Sequence, residues 1–163
     1  MRQVALSWHE IDAMVRLLAN SLASRRVDYV VGIARSGLVP AVMLSHALSA
    51  RDFGVLDIRR TESDDIRASK REPHIRGAMH CDALQGRRII LVDDIVGEGT
   101  TLLAAKKFLE TRCDSVRTAV LVVNLDNLGR EDPGGLIDHF ACTVHGWVVF
   151  PWECKTARGL RCG

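Results

Sequence analysis

Residues 89–101 read IILVDDIVGEGTT, and the fold of the chain follows from them. Arg88 and the run Ile89-Ile90-Leu91-Val92 have the length and β-branched content of a strand buried on both faces. Two adjacent carboxylates, Asp93 and Asp94, come next, and the strand is expected to stop before them. Val96-Gly97-Glu98-Gly99-Thr100-Thr101 then turns into a helix with Leu102, Ala105, Phe108 and Leu109 on one face. In open α/β sheets, ligands bind outside the carboxyl ends of the strands, so the paired acids and the glycine loop lie where a ligand would lie.

The chemistry of the stretch points to a sugar phosphate. Ionised carboxylates accept several hydrogen bonds each and suit the vicinal hydroxyls of a ribose. Gly97 and Gly99 allow the backbone to close around a phosphate with its N–H groups inward. Thr100 and Thr101 add hydroxyls and the positive end of a helix dipole. Acids for the ribose followed directly by a phosphate cup describe a ribose 5-phosphate site.

Working outward, the rest of the chain builds a sheet around this unit. Ser7-Trp8-His9-Glu10 is a capping box, followed by Ile11, Met14, Val15, Leu18 and Leu22 at helical spacing, with the helix ending near Arg25. Residues 29–34 form a buried strand, Gly37 a turn, and Pro40 the first turn of a helix that runs to Leu48. Further strands are expected at 53–59, 116–123 and 137–144, with 127–135 a turn-rich loop. Residues 60–77, RTESDDIRASKREPHIRG, are dense in charge and poor in apolar side chains, and read as a mobile excursion with no core of its own. The order predicts an α/β fold with a mostly parallel, five-stranded sheet flanked by helices.

Composition bounds the rest. The 163 residues suit a single domain, 1–163, and an apolar content of 47% is enough for its core. Lys plus Arg is 22 against 20 for Asp plus Glu, so bulk charge does not support a nucleic-acid partner. No apolar run reaches the ~18–20 residues of a membrane span. The start MRQVALSWHEID lacks the apolar stretch of a signal peptide, so the expected location is cytoplasmic. Five cysteines without a CxxC pair read as free thiols, Cys154 being the one placed for oxidation.

The stretch IILVDDIVGEGTTL resembles the signature of type I phosphoribosyltransferases that binds 5-phosphoribosyl 1-diphosphate (PRPP). Two further segments carry the resemblance along residues 3–155, closest to small purine and xanthine–guanine members. Ile33 to Pro40 is similar to the diphosphate-binding loop, which implies that Arg35, Ser36 and Gly37 bind diphosphate and that the Arg35–Ser36 peptide is cis. Gly146 to Glu153 resembles the end of the base pocket. That implies a stacking role for Trp147, main-chain contacts from Val148 and a place near the metal or ring edge for Glu153, with Trp152 in the core. The resemblance implies a Rossmann-like fold with a flexible lid at 60–80, in which Ser63, Lys70 and Arg71 are candidate contacts, and a hood at 145–163. It also implies transfer of a phosphoribosyl group from PRPP to a nucleobase-like acceptor, dependence on Mg²⁺ held near Asp93 and Glu153, and a homo-oligomer, dimer or tetramer.

Three positions depart from 6-oxopurine members. Gly97 stands where those carry an Asp, Glu98 where a Ser or Thr is usual, and Asn124 where a Lys reads the base. Glu98 is therefore a candidate for proton transfer, and Asn124 for reading an oxo or amino group. The same departures leave open a member acting on an unusual base, or a PRPP-binding regulator without turnover.

Overall fold

The computed structural model describes residues 2–61, 70–129 and 132–153. The elements, in chain order, are β1 (Gln3–Ala5), α1 (Trp8–Leu22), β2 (Tyr29–Ala34), α2 (Leu38–Ala47), β3 (Asp52–Thr61), β4 (Lys70–Met79) and β5 (Arg88–Val96). They continue with α3 (Thr100–Glu110), β6 (Ser115–Asn124), α4 (Leu125–Leu128), β7 (His139–Val144) and β8 (Trp147–Val149), closing on a 3-10 turn at Pro151–Glu153. Six strands form the main sheet in the order β4-β3-β2-β5-β6-β7. All pairs are parallel except β3 with β4.

Strand alternation divides the core into two layers. Val31, Ile33, Ile89 and Leu91 face α3, where Leu102, Ala105 and Leu109 cover them. Val30, Ile90 and Val92 face the other way, onto Ile11, Val15, Leu18 and Leu22 of α1 and Ala41 and Leu44 of α2. Helix α1 starts as its sequence predicts: the Ser7 hydroxyl accepts from the Glu10 N–H while the Glu10 carboxylate accepts from the Ser7 N–H. It ends at Leu22, with Arg25 in the following turn. Pro40 sits in the first turn of α2, as expected.

Two expectations about the sheet are corrected. The main sheet has six strands, because part of the charged excursion is itself a strand. Residues 70–79 pair antiparallel with β3 at the sheet edge, Ile75 and Ala78 pack on the α3-side core, and Arg76 bonds Asp57 across the pair. An edge strand needs only one buried face and one ladder of hydrogen bonds, so it tolerates charges and a proline such as Pro73. Lys70 and Arg71 therefore lie in a strand, while residues 62–69, Ser63 among them, lie outside the described residues. The second correction is a small parallel sheet of β1 and β8 that joins the two ends of the fold. Cys81, Cys113 and Cys142 are free thiols, as read, and burial pushes all three thiol pKa values up; Cys154 is outside the described residues. Among the described residues no helix is long and apolar enough to cross a membrane.

Candidate functional site

The sheet order places a crevice between β2 and β5. From β2 the chain moves to β3 on one side, and from β5 it moves to β6 and β7 on the other. The point where the winding reverses is where α/β sheets bind ligands. Pairing of β2 with β5 stops at Gly32 opposite Val92, while β5 continues along β6 as far as Val96. Asp93 and Asp94 thus lie inside a strand rather than after it, which corrects the expectation that the strand ends at Val92. The strand has lost its neighbour only on the β2 side, and there the acids gain their opening.

Gly37 closes the same crevice from the β2 side. A Cβ added to it would stand 2.6 Å from the Ile33 carbonyl oxygen and 2.8 Å from Asp93 Oδ1. Only a residue without a side chain allows this approach, so the loop at 35–37 and the acid pair are in direct contact. The loop does contain a cis peptide, but it is Ala34–Arg35, one bond earlier than expected, where the chain leaves the β2–β3 ladder.

Both acids are buried, at 8% and 7% exposure. The Asp94 N–H donates to Asp93 Oδ1 at 3.0 Å. Burial pushes the Asp93 pKa well above the carboxylate range, and the neighbouring Asp94 charge adds to it. Asp94 is raised to about 6, chiefly by burial; bonds from Asp93 and the Ile95 backbone oppose the rise, and repulsion by Glu153 adds to it. Glu153 is exposed and its Oε2 accepts from the Phe150 N–H at 3.0 Å, so it caps the 3-10 turn while its charge bears on Asp94.

Beyond the acids the loop enters α3. Gly99 has φ +81°, and a Cβ there would meet Leu136 Cδ2 at 2.4 Å. The N-cap of α3 is Gly99, which makes no side-chain cap bond, in contrast to Ser7 at α1. The first N–H groups of a helix have no partner within it and lie at the positive end of its dipole, where an anionic ligand is favoured. The Thr100 hydroxyl is buried with no partner among the described residues. Glu98 is exposed.

The base-side residues divide. Asn124 is buried, its Nδ2 donates to the Gly146 carbonyl at 2.8 Å, and its Oδ1 accepts from the Asp126 N–H at 3.1 Å. It ties the end of β6 to the turn before Trp147. Trp147 is half-buried on β8. The Val148 side chain enters the α1- and α2-side core, and its main chain pairs opposite Val4. Trp152 stacks on Phe150 at 4.6 Å, a core role as read. The sequence reading missed Asn127, which packs 3.1 Å from where a Cβ on Gly97 would lie, and the Asp126–His145 pair at 2.6 Å. Three polar residues at the end of a buried strand, Asn124, Asp126 and Asn127, were the available signal.

Comparison with known proteins agrees with this geometry. Residues 7–157 match the family described as phosphoribosyl transferase domain. The chain belongs to that family. This phosphoribosyltransferase-family chain is 27% identical over 158 residues to a xanthine-guanine phosphoribosyltransferase of Chromohalobacter salexigens, covering 96% of this chain and 87% of that one. It is 28% identical over 122 residues to an adenine phosphoribosyltransferase of Bordetella pertussis, covering 71% and 65%. A purine phosphoribosyltransferase structure from Pyrococcus horikoshii superposes with a TM-score of 0.77 at 27% identity, over 98% of this chain and all of that one.

The donor set also bears on a divalent cation. Among the described residues no three or more Asp, Glu, His or Cys side chains form a preassembled metal nest. Mg²⁺ needs less, since it commonly takes one or two carboxylates and draws its other ligands from substrate phosphates and water. Two buried acids with raised pKa values and a third carboxylate acting on Asp94 fit such an ion.

Proposed function

We propose that this protein transfers the 5-phosphoribosyl group of PRPP to a ring nitrogen of a purine-like base and releases diphosphate. The observation that carries the reading is the contact of Gly37 with Asp93, which sets the loop at 35–37 against the acid pair that leads into α3. The relatives named for xanthine, guanine and adenine favour a purine acceptor.

In this reading Asp93 and Asp94 accept the ribose hydroxyls, and their negative charge stabilises the cationic character that develops at the anomeric carbon. Main-chain N–H groups of 97–101, with Thr100 and Thr101, hold the 5-phosphate. Arg35, Ser36 and Gly37 hold the departing diphosphate. Trp147 stacks on the base, a contact worth ~1–3 kcal/mol. Asn124 positions that segment through Gly146. The Glu98 carboxylate is the candidate proton acceptor. Mg²⁺ is part of the proposal: beside Asp93 and Glu153 it would neutralise diphosphate oxygens and favour their departure. Homo-oligomerisation belongs to the same reading, with exposed Trp8, Leu17 and Val42 as apolar side chains to cover.

The test is diphosphate release from PRPP with Mg²⁺ across adenine, guanine, hypoxanthine, xanthine and uracil. A purine should give the highest kcat/KM. Tight PRPP binding with no turnover on any base would overturn the enzyme reading in favour of a regulator.

A further inference from the structure

The amino ends of the strands carry a second basic feature, remote from the crevice. A cavity of about 270 Å³ opens where the turn after α1 meets the starts of β5 and β6. Four arginines line it, Arg25, Arg26, Arg88 and Arg117, together with the exposed Ser24 and Ser115. Buried Ile89 and Ile90 contribute its apolar part. None of its nine lining residues is acidic. Arg88 begins β5 and Asp93 lies five residues along it, so the two sites are ~16 Å apart at ~3.3 Å per residue.

One arginine has an evident structural task. Asp28 accepts from Arg88 Nε at 2.7 Å, Nη2 at 2.9 Å and the main-chain N–H at 3.1 Å, and lies 3.3 Å from Arg26 Nε. Arg25 and Arg117 have no carboxylate partner among the described residues. Both act on one neighbour: with burial they lower the His139 pKa, against the opposing charge of Asp138. Two guanidiniums without a carboxylate partner among the described residues therefore line the cavity. Closing α1 does not require them, because the Ala23 N–H already bonds the Asn20 carbonyl and the Arg25 N–H bonds that of Leu22. A solvated charged face needs no concavity with apolar walls. Guanidinium forks match phosphate oxygens in pairs, and serine hydroxyls add donors at the edge. The volume falls below the ~300–1,000 Å³ of larger ligand pockets, which restricts the occupant to a small molecule.

We propose that this cavity is a second anion site, which takes a small phosphate-bearing molecule through Arg25, Arg26 and Arg117 with Ser24 and Ser115, while the Arg88–Asp28 pair holds its wall. The site is independent of the phosphoribosyl reading.

Backbone amide chemical shifts of the full-length protein, titrated with inorganic phosphate, diphosphate and ribose 5-phosphate, test it. Shifts are expected at 24–27, 88–90 and 115–117, and binding should weaken with added salt. The double variant Arg25→Gln, Arg117→Gln should lose roughly a hundredfold in affinity for losing two charge-assisted bonds, while PRPP binding at the crevice is unchanged. Responses to all three probes mark a general phosphate site. A response to ribose 5-phosphate alone marks a phosphomonoester site, and supports the proposal equally. No shift at these residues with any probe, or equal affinity in the double variant, overturns it. If the double variant does not fold, Arg25→Gln alone, in the exposed turn after α1, supplies the same readout.

Discussion

Replacing Asp94 by Asn should make the unliganded protein more stable at neutral pH while it removes the ribose contact. The carboxyl titrates near 3.8 in the unfolded chain and at about 6 in the fold. A raised pKa means that the fold prefers the neutral acid. Above pH 6 the fold carries an ionised group it disfavours; as pH falls from 6 to 4 that cost disappears, and below 4 nothing more is gained. At ~1.4 kcal/mol per pKa unit the cost at pH 7.5 is about 3 kcal/mol. The Asp94→Asn side chain has no charge to bury, and it also relieves the repulsion on Asp93. For a domain of this size the gain corresponds to a Tm increase of roughly 6–10 °C at pH 7.5, shrinking toward zero by pH 4.

The assay is calorimetric melting of both proteins from pH 4 to 8 without ligand, read as the difference between them. Titrations away from the acid pair cancel in that difference, while Asp93, freed of its repulsion by Asp94, adds to the gain at neutral pH. His139, with a lowered pKa, loses its contribution as pH falls below its unfolded value of 6.5, and Asp28, held far down by Arg88, loses its own only in stronger acid. A second arm adds PRPP with Mg²⁺, which should raise the Tm of the wild type and not of the variant. An Asp94→Asn variant no more stable than wild type at pH 7.5, or a gain independent of pH, would refute the reasoning that the acid pair is held at a cost to the fold.

Three further outcomes follow from contacts described above. Gly37→Ala forces a Cβ against Asp93 and the Ile33 carbonyl; an overpacking loss of ~1–3 kcal/mol in stability and weaker PRPP binding by calorimetric titration are expected. Asn124→Ala leaves the Gly146 carbonyl and the Asp126 N–H without their partner; it should cost ~1–3 kcal/mol and raise KM for the base more than for PRPP in steady-state kinetics. Ser7→Ala removes the cap of α1; urea unfolding should report a loss of ~1 kcal/mol with unchanged kcat.

Much of the site was legible because its information is local. Asp93-Asp94, the glycine loop and the helix start are consecutive, so the sequence shows them in working order. Asn124's structural bonds were not legible for the opposite reason: its partner Gly146 is 22 residues away, and only the packed fold shows that its amide is engaged there. Glu153 reads as a site carboxylate in sequence, yet its bond to the Phe150 N–H depends on the 3-10 turn.

The sequence by itself determined the α/β alternation, the α1 capping box and the order of acids, glycines and threonines in 93–101. Each depends on side-chain periodicity or on neighbours within a few residues. Tertiary structure alone decided three things. Residues 70–79 became an edge strand because β3 offered a free ladder. Gly37 met Asp93 because the winding reverses between β2 and β5. Arg25, Arg88 and Arg117 gathered in one cavity because parallel strands bring their amino ends to one side of the sheet. Such juxtapositions come from how strands are ordered in space, and a linear sequence records residue order without that spatial order.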